Sequence, residues 1–233
     1  MTSRETSRTT AREATRDTTE EATTVIDTVV YDLGNVLVHW DPRLPYEGHL
    51  TPEEVDRLFD EIDFFALNHR QDLGEPWPVL LEEVARTHPH RVEDLRRYVD
   101  GYALALPGPV EGSQELAREL KDLGLRLVGL TNWSAETFHL ADAIPAVQLL
   151  DDVLVSGRVG LAKPDPRIFR LLVESYGVDP ARAVFTDDME ANVVAGRAAG
   201  FHAQLFTSTA GLRHDLAALG VPVRTTAQPQ DRS

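Results

Sequence analysis

From Val25 onward the chain alternates short apolar runs with polar turns and longer amphipathic stretches. VIDTVVYD, residues 25 to 32, is a β-branched apolar run ending on an acid, which reads as a buried strand. Gly34 and a second apolar run, VLVHW, follow at once and predict a tight turn and a second extended piece. Residues 43 to 109 read as helices instead. TPEEVDRLFDEI opens with a Thr cap and acids in its first turn, and PWPVLLEEVARTH and VEDLRRYVDGYALAL carry apolar residues at helical spacing. Beyond residue 110 the order becomes helix (EGSQELARELKDLG), strand (LRLVGL), polar turn (TNWSAET), helix (PDPRIFRLLVESYG), strand (RAVFTDD), helix (MEANVVAGRAAG) and strand (HAQLF). Helix and strand in alternation build a parallel sheet with helices on both faces. The predicted fold class is therefore α/β, a doubly wound parallel sheet, with a small all-helical domain at 43 to 109 inserted after the first strand. The α/β core takes residues 25 to 42 and 110 to 224.

The two ends of the chain differ from this pattern. Residues 2 to 24 hold nothing more apolar than Ala and cannot bury enough surface to offset their ordering entropy, so a disordered tail is expected at 1 to 24. A flexible tail is likewise expected at 225 to 233. The first of these segments is too rich in acids, five against four Arg, for an organellar transit peptide.

Composition narrows the function classes. The chain has 233 residues with 42% hydrophobic content, enough for one sizeable core plus an insert. Its 38 acidic and 23 basic residues give a net charge of -15, which argues against a nucleic-acid partner. There is no cysteine, so a disulfide framework and a thiolate metal site are both excluded. No apolar run is long enough to span a membrane, and the simplest expectation is a cytoplasmic monomer or homodimer.

In open parallel sheets the ligand sits beyond the carboxyl ends of the strands. Four polar clusters fall at such ends: Asp32 with Gly34 and Asn35, then Thr131 with Asn132, then Lys163 ahead of a helix, then Asp187 with Asp188. Three carboxylates, a hydroxyl and an ammonium at one edge make chemical sense if a divalent cation and a phosphate dianion bind together, because the cation removes the repulsion between acids and dianion. Lys163 is singular in another way: it and Lys121 are the chain's two lysines, every other basic side chain being Arg. A compact ammonium in that setting suits a point-charge role.

YDLGNVL, LTNWS, the lysine of LAKPDPRIF and VFTDDMEANVVAGRAAG together resemble the four motifs of the haloacid dehalogenase superfamily, in order and in spacing, over about residues 25 to 210. The resemblance implies a Mg²⁺-dependent phosphatase acting on a small phosphorylated metabolite, and members that share the DLGNV variant include sugar-phosphate phosphatases. Under it Asp32 is the nucleophile that forms an aspartyl-phosphate. The Gly34 carbonyl, Asp32, Asp188 and, through a water, Asp187 hold the Mg²⁺. Thr131 and the amides near Gly34 and Asn35 hold phosphate oxygens, with Asn132 in the same turn, and Lys163 neutralises the phosphate. Asn192 either braces the metal site or packs. The residues inserted after the first motif correspond to a helical cap, in which Asn68, His69, Arg70 and Asp72 are expected over the site. There Arg70 could hold a second anion, and Trp77 could stack on substrate or simply pack; Trp133 is the better candidate for a substrate wall.

One departure stands out. Most phosphatases of this superfamily carry a second acid two residues after the nucleophile, to protonate the leaving group, and this chain has Gly34 there. Either another group substitutes or the leaving group needs little protonation; His39 could reach the site from the extended piece after Gly34, or serve only as an exposed spacer. The same departure admits a 2-haloacid dehalogenase, which lacks that acid too, although the paired acids Asp187 and Asp188 favour phosphate chemistry. A weakly catalytic module that binds a metabolite or a protein is the third reading.

Overall fold

The computed structural model describes residues 25 to 224, so the expected tails at 1 to 24 and 225 to 233 lie outside the described residues. Five strands form one all-parallel sheet: β1 (Thr28–Tyr31), β2 (Arg126–Thr131), β3 (Asp152–Val155), β4 (Ala183–Asp187) and β5 (His202–Leu205). Their spatial order is β3-β2-β1-β4-β5, which puts β1 at the centre and the reversal of strand order beside it. After β1 come the inserted α-helices α1 (Pro52–Ile62), α2 (Phe64–Asp72), α3 (Trp77–Thr87) and α4 (Val92–Asp100). The rest are α5 (Ser113–Asp122), the single turn α6 (Ser156–Val159), α7 (Pro166–Tyr176), α8 (Glu190–Ala198) and α9 (Thr209–Ala218).

Strand alternation sorts the core into two layers. Val29, Tyr31, Leu127 and Val184 join one apolar cluster with α5, α9 and the four inserted helices. Val30, Val128, Leu130 and Phe185 face the opposite way and pack with Ile168, Phe169 and Leu172 of α7 and Val193 of α8. A period of two along β1, β2 and β4 thus buries both faces of the sheet's centre, as a doubly wound sheet requires.

Side chains cap the starts of α1, α7 and α9. At α1, Thr51 Oγ1 accepts from the Glu54 amide at 3.3 Å while the Glu54 carboxylate accepts from the Thr51 amide at 2.8 Å, a reciprocal cap. At α7 the Asp165 carboxylate accepts from the Arg167 amide at 2.8 Å, with Pro166 in the first turn.

Three features differ from the sequence pattern. VLVHW is not one extended piece: the Leu33 carbonyl collects the amides of Val36, Leu37 and Val38 at 3.3, 2.8 and 3.0 Å, so the expected tight turn takes in the first three residues of the run. VEDLRRYVDGYALAL is not one helix, because α4 stops at Asp100, Gly101 follows, and Tyr102–Ala105 form a separate 3₁₀ turn. The structure also adds β3, an edge strand of four residues that pairs with β2 alone. Its residues DVLV begin on an acid that is held by Arg126 at 2.6 Å, and a run so short carries little periodic signal.

Candidate active site

Asp32 follows β1 directly, Asn132 and Trp133 follow β2, Lys163 precedes α7, and Asp188 follows β4. All of them line one cavity of about 200 Å³ at the carboxyl edge of the sheet, together with Gly34, Asn35 and Asn192. The inserted helices and the segments joining them to the core close it from above through Val38, Trp40, Asn68, Asp72, Tyr102 and Leu106, and Met189 completes the wall.

The floor is a buried charge triad. Lys163 Nζ lies 2.9 Å from Asp32 Oδ1 and 2.6 Å from Asp187 Oδ2, with the lysine side chain only 1% exposed. Burial works against the ammonium, but Asp32 and Asp187 outweigh it and hold the lysine above its ordinary pKa. Asp32 Oδ1 also accepts from the Leu33 amide at 2.7 Å, and Oδ2 has no hydrogen-bond partner among the described residues. Burial pushes the Asp32 carboxyl up to about 7; Lys163 opposes the rise, and Asp187 and Asp188 add to it.

Asp187 is fully buried, with both oxygens engaged. Oδ1 accepts from the Met189 amide and from Asn192 Nδ2, each at 2.9 Å, and Oδ2 takes Lys163. It therefore anchors the lysine and the start of α8, and unlike the other three expected metal ligands it does not line the cavity. Asp188 faces the cavity half-buried, and Asn35 Nδ2 donates to its Oδ2 at 3.3 Å. Burial and the neighbouring Asp187 raise its pKa.

Backbone geometry sets these groups. Asn35 sits at φ 55°, a left-handed angle that Asn tolerates better than most side chains, and its Oδ1 accepts from the Trp40 amide at 3.0 Å. That lock turns the chain after Asp32 back over the site. Asn132 clamps Lys163 from both sides, Nδ2 donating to the Lys163 carbonyl at 2.9 Å and Oδ1 accepting from the Lys163 amide at 2.8 Å. Thr131, the last residue of β2, is buried at 1% exposure and is not among the cavity-lining residues.

Asp32, Asp187 and Asp188 each offer a carboxylate oxygen such that the three lie within 4.8 Å of one another. Three carboxylates against one ammonium leave the cluster at −2, and Asp32 Oδ2 and Asp188 open to the cavity, so the donor set fits a divalent cation such as Mg²⁺.

A family model for haloacid dehalogenase-like hydrolases matches residues 26–200. The chain belongs to that family. This hydrolase is 32% identical over 212 residues to a phosphatase of Mycobacterium tuberculosis, covering 84% of this chain and 95% of the relative. It is 30% identical over 146 residues to the validoxylamine A 7'-phosphate phosphatase of Streptomyces hygroscopicus, 60% of this chain and 66% of that one. Its fold matches a HAD family enzyme of Bacteroides thetaiotaomicron solved with magnesium and inorganic phosphate, at a TM-score of 0.62 and 19% identity over 79% of this chain and 96% of that one. The hydrolase is thus an enzyme of the class to which its phosphatase relatives belong.

The inserted helices divide the five expected cap residues. Asn68 and Asp72 line the cavity, with Asn68 Nδ2 donating to Asp72 Oδ2 at 3.1 Å. Arg70 does not: its guanidinium is forked between Glu75 and Glu83, both at 2.8 Å, and braces α2 against α3. It is not available for a second anion. Trp77 is buried at 3% exposure with its ring edge-on to Tyr98, 5.7 Å between centroids, so it packs and does not face substrate. His69 is exposed. His39 is exposed too and lines a different groove beyond Asn35 and Asp188.

Trp40, Tyr102, Leu106 and Met189 are wall residues that motif reasoning does not reach. The one signal for Tyr102 is Gly101, which breaks the helix and turns the following residues toward the cavity.

Proposed function

We propose that this hydrolase is a Mg²⁺-dependent phosphatase that removes a single phosphate from a small metabolite of sugar size through an aspartyl-phosphate on Asp32. The convergence of Asp32, Lys163 and Asp188 on one cavity carries the reading. Asp32, Asp188 and the Gly34 carbonyl would hold the cation, which supplies charge neutralisation for the incoming dianion. Asp32 is suited to attack because Lys163 and the Leu33 amide hold it by one oxygen and leave the other free. Lys163 supplies positive charge where phosphoryl oxygens gather, in a place where Asn132 fixes its backbone and Asp187 its ammonium.

The walls support a compact, singly phosphorylated substrate. Lys163 is the one cationic side chain lining the cavity, and Arg70 is locked elsewhere. Trp40, Tyr102 and Trp133 offer flat apolar surface for a sugar ring, and Asn68 offers a hydrogen-bonding edge for its hydroxyls. On this reading residues 43 to 109 act as the specificity cap.

Hydrolysis of p-nitrophenyl phosphate should require Mg²⁺, stop with chelator, and disappear in Asp32→Asn. Asp188→Ala should lose most activity at low Mg²⁺. Turnover that survives exhaustive chelation, or release of chloride from 2-chloropropionate without metal, would replace this reading with dehalogenase-type chemistry.

A further inference from the structure

We propose that Asp72, reaching into the cavity from the end of α2, is the general acid and base that Gly34 fails to supply. The inference rests on the phosphatase reading above and adds the proton donor.

Five titratable side chains line the cavity: Asp32, Asp72, Tyr102, Lys163 and Asp188. On that reading Asp32 is the nucleophile and Asp188 would hold the cation, while Lys163 is shared between two carboxylates. Burial holds the Tyr102 phenol far above its ordinary pKa, so it keeps its proton. Asp72 remains, and it stands on the cap side of the cavity, across from the nucleophile on the β1 edge. A leaving group expelled in line from Asp32 departs on the side away from that carboxylate. One Asp72 oxygen takes the Asn68 amide, and the other has no hydrogen-bond partner among the described residues.

The position is built as well as occupied. Ser156 Oγ donates to the Asp72 carbonyl at 2.6 Å and itself accepts from the Trp133 amide at 2.9 Å. One buried hydroxyl thus ties the end of α2 to the turn after β2. Two glycines let the backbones close there: a Cβ on Gly74 would meet the Gly157 carbonyl oxygen at 2.9 Å, and one on Gly157 would meet the Ala135 nitrogen at 2.5 Å. A side chain held through its own backbone to the core has the fixed placement that proton transfer needs. The charged and titratable groups around it are Asp32 and Lys163 from the core and Tyr98 and Tyr102 from the inserted segment. Burial, then the nearby Asp32, push the Asp72 carboxyl up to about 7, against Lys163, which favours a protonated acid before reaction.

In the first step a bond forms between an Asp32 oxygen and phosphorus, and the bond from phosphorus to the ester oxygen breaks. The departing oxygen takes the electron pair and the Asp72 proton, giving a free alcohol and an Asp72 carboxylate. In the second step water attacks the phosphoaspartate, Asp72 takes back a proton, and the Asp32 carboxylate leaves as phosphate is released.

The test is leaving-group dependence, read as kcat/KM over aryl phosphates of rising phenol pKa and an alkyl phosphate, with Mg²⁺. The wild type should show a shallow slope. Asp72→Asn should lose less than about tenfold on p-nitrophenyl phosphate and about 10² to 10⁴-fold on the alkyl ester. Adding Gly34→Asp to that variant should flatten the slope again, because a Cβ at 34 meets nothing within 4 Å. A structural role would lower every substrate by one factor, and that outcome overturns the proposal. So does a steep slope in the wild type, which decides the matter even if Asp72→Asn does not fold. Failure of the wild type to hydrolyse any aryl phosphate with Mg²⁺ sinks the phosphatase reading first, and the role of Asp72 with it.

Discussion

Lys163→Met isolates what the buried charge triad is worth. At an effective dielectric of ~20, opposite charges at the 2.6 and 2.9 Å separations of Lys163 from Asp187 and Asp32 attract by about 6 kcal/mol each. Most of that is offset, because the variant no longer desolvates an ammonium and one of the stranded carboxylates can take a proton. Removing one partner of a buried pair costs ~3–5 kcal/mol net, which for a domain of this size lowers Tm by roughly 6–20 °C. Asp187→Asn in the same background removes one stranded charge while its side-chain oxygen still accepts from Met189. The double variant should therefore regain ~1–3 kcal/mol over Lys163→Met, a coupling readable from urea unfolding of the wild type, both singles and the double in chelator near neutral pH. The reasoning fails if Lys163→Met lies within ~1 kcal/mol of the wild type, or if the double variant is no more stable than Lys163→Met.

Three further outcomes follow from the same geometry. In chelator, stability should fall as pH rises from about 4 to 7: the folded-state carboxyls of Asp32 and Asp72 are raised to about 7, so folding holds protons that the unfolded chain has released. Mg²⁺ should flatten that fall, and urea midpoints across the range with and without the ion measure it. Gly157→Ala should cost ~1–3 kcal/mol by overpacking, since its new carbon would press on backbone at 2.5 Å, whereas Gly34→Ala should stay within ~0.5 kcal/mol of the wild type by the same denaturation assay. Arg70→Ala should lower stability by no more than ~1 kcal/mol, its pairs with Glu75 and Glu83 being about a third exposed, and should leave KM unchanged in steady-state kinetics.

Much of the molecule was legible along the chain. Short apolar, β-branched runs marked four of the five strands, the Thr51 cap marked the start of α1, and the fold class followed from the alternation of strand and helix. The polar clusters at strand ends pointed along the chain to Asp32, Asn132, Lys163, Asp187 and Asp188, because a parallel sheet brings its carboxyl ends together wherever they lie in sequence. These are local signals, each readable within a dozen residues. The division of labour inside the site was not of that kind. That Asp187 spends both oxygens on Lys163, Met189 and Asn192 while Asp188 faces the cavity depends on which way neighbouring side chains point at the end of one strand. The inserted helices show the same limit. Asn68, Arg70, Asp72 and Trp77 are equally polar or aromatic candidates along the chain, yet Glu75 and Glu83 claim Arg70, Tyr98 packs on Trp77, and Asn68 and Asp72 are left lining the cavity that holds Asp32. Ser156, 84 residues from Asp72, carries no sequence signal at all for its part in placing that carboxylate. Such choices rest on contacts between distant segments, whose energies exist only once the chain has closed, and so the tertiary structure alone decided them.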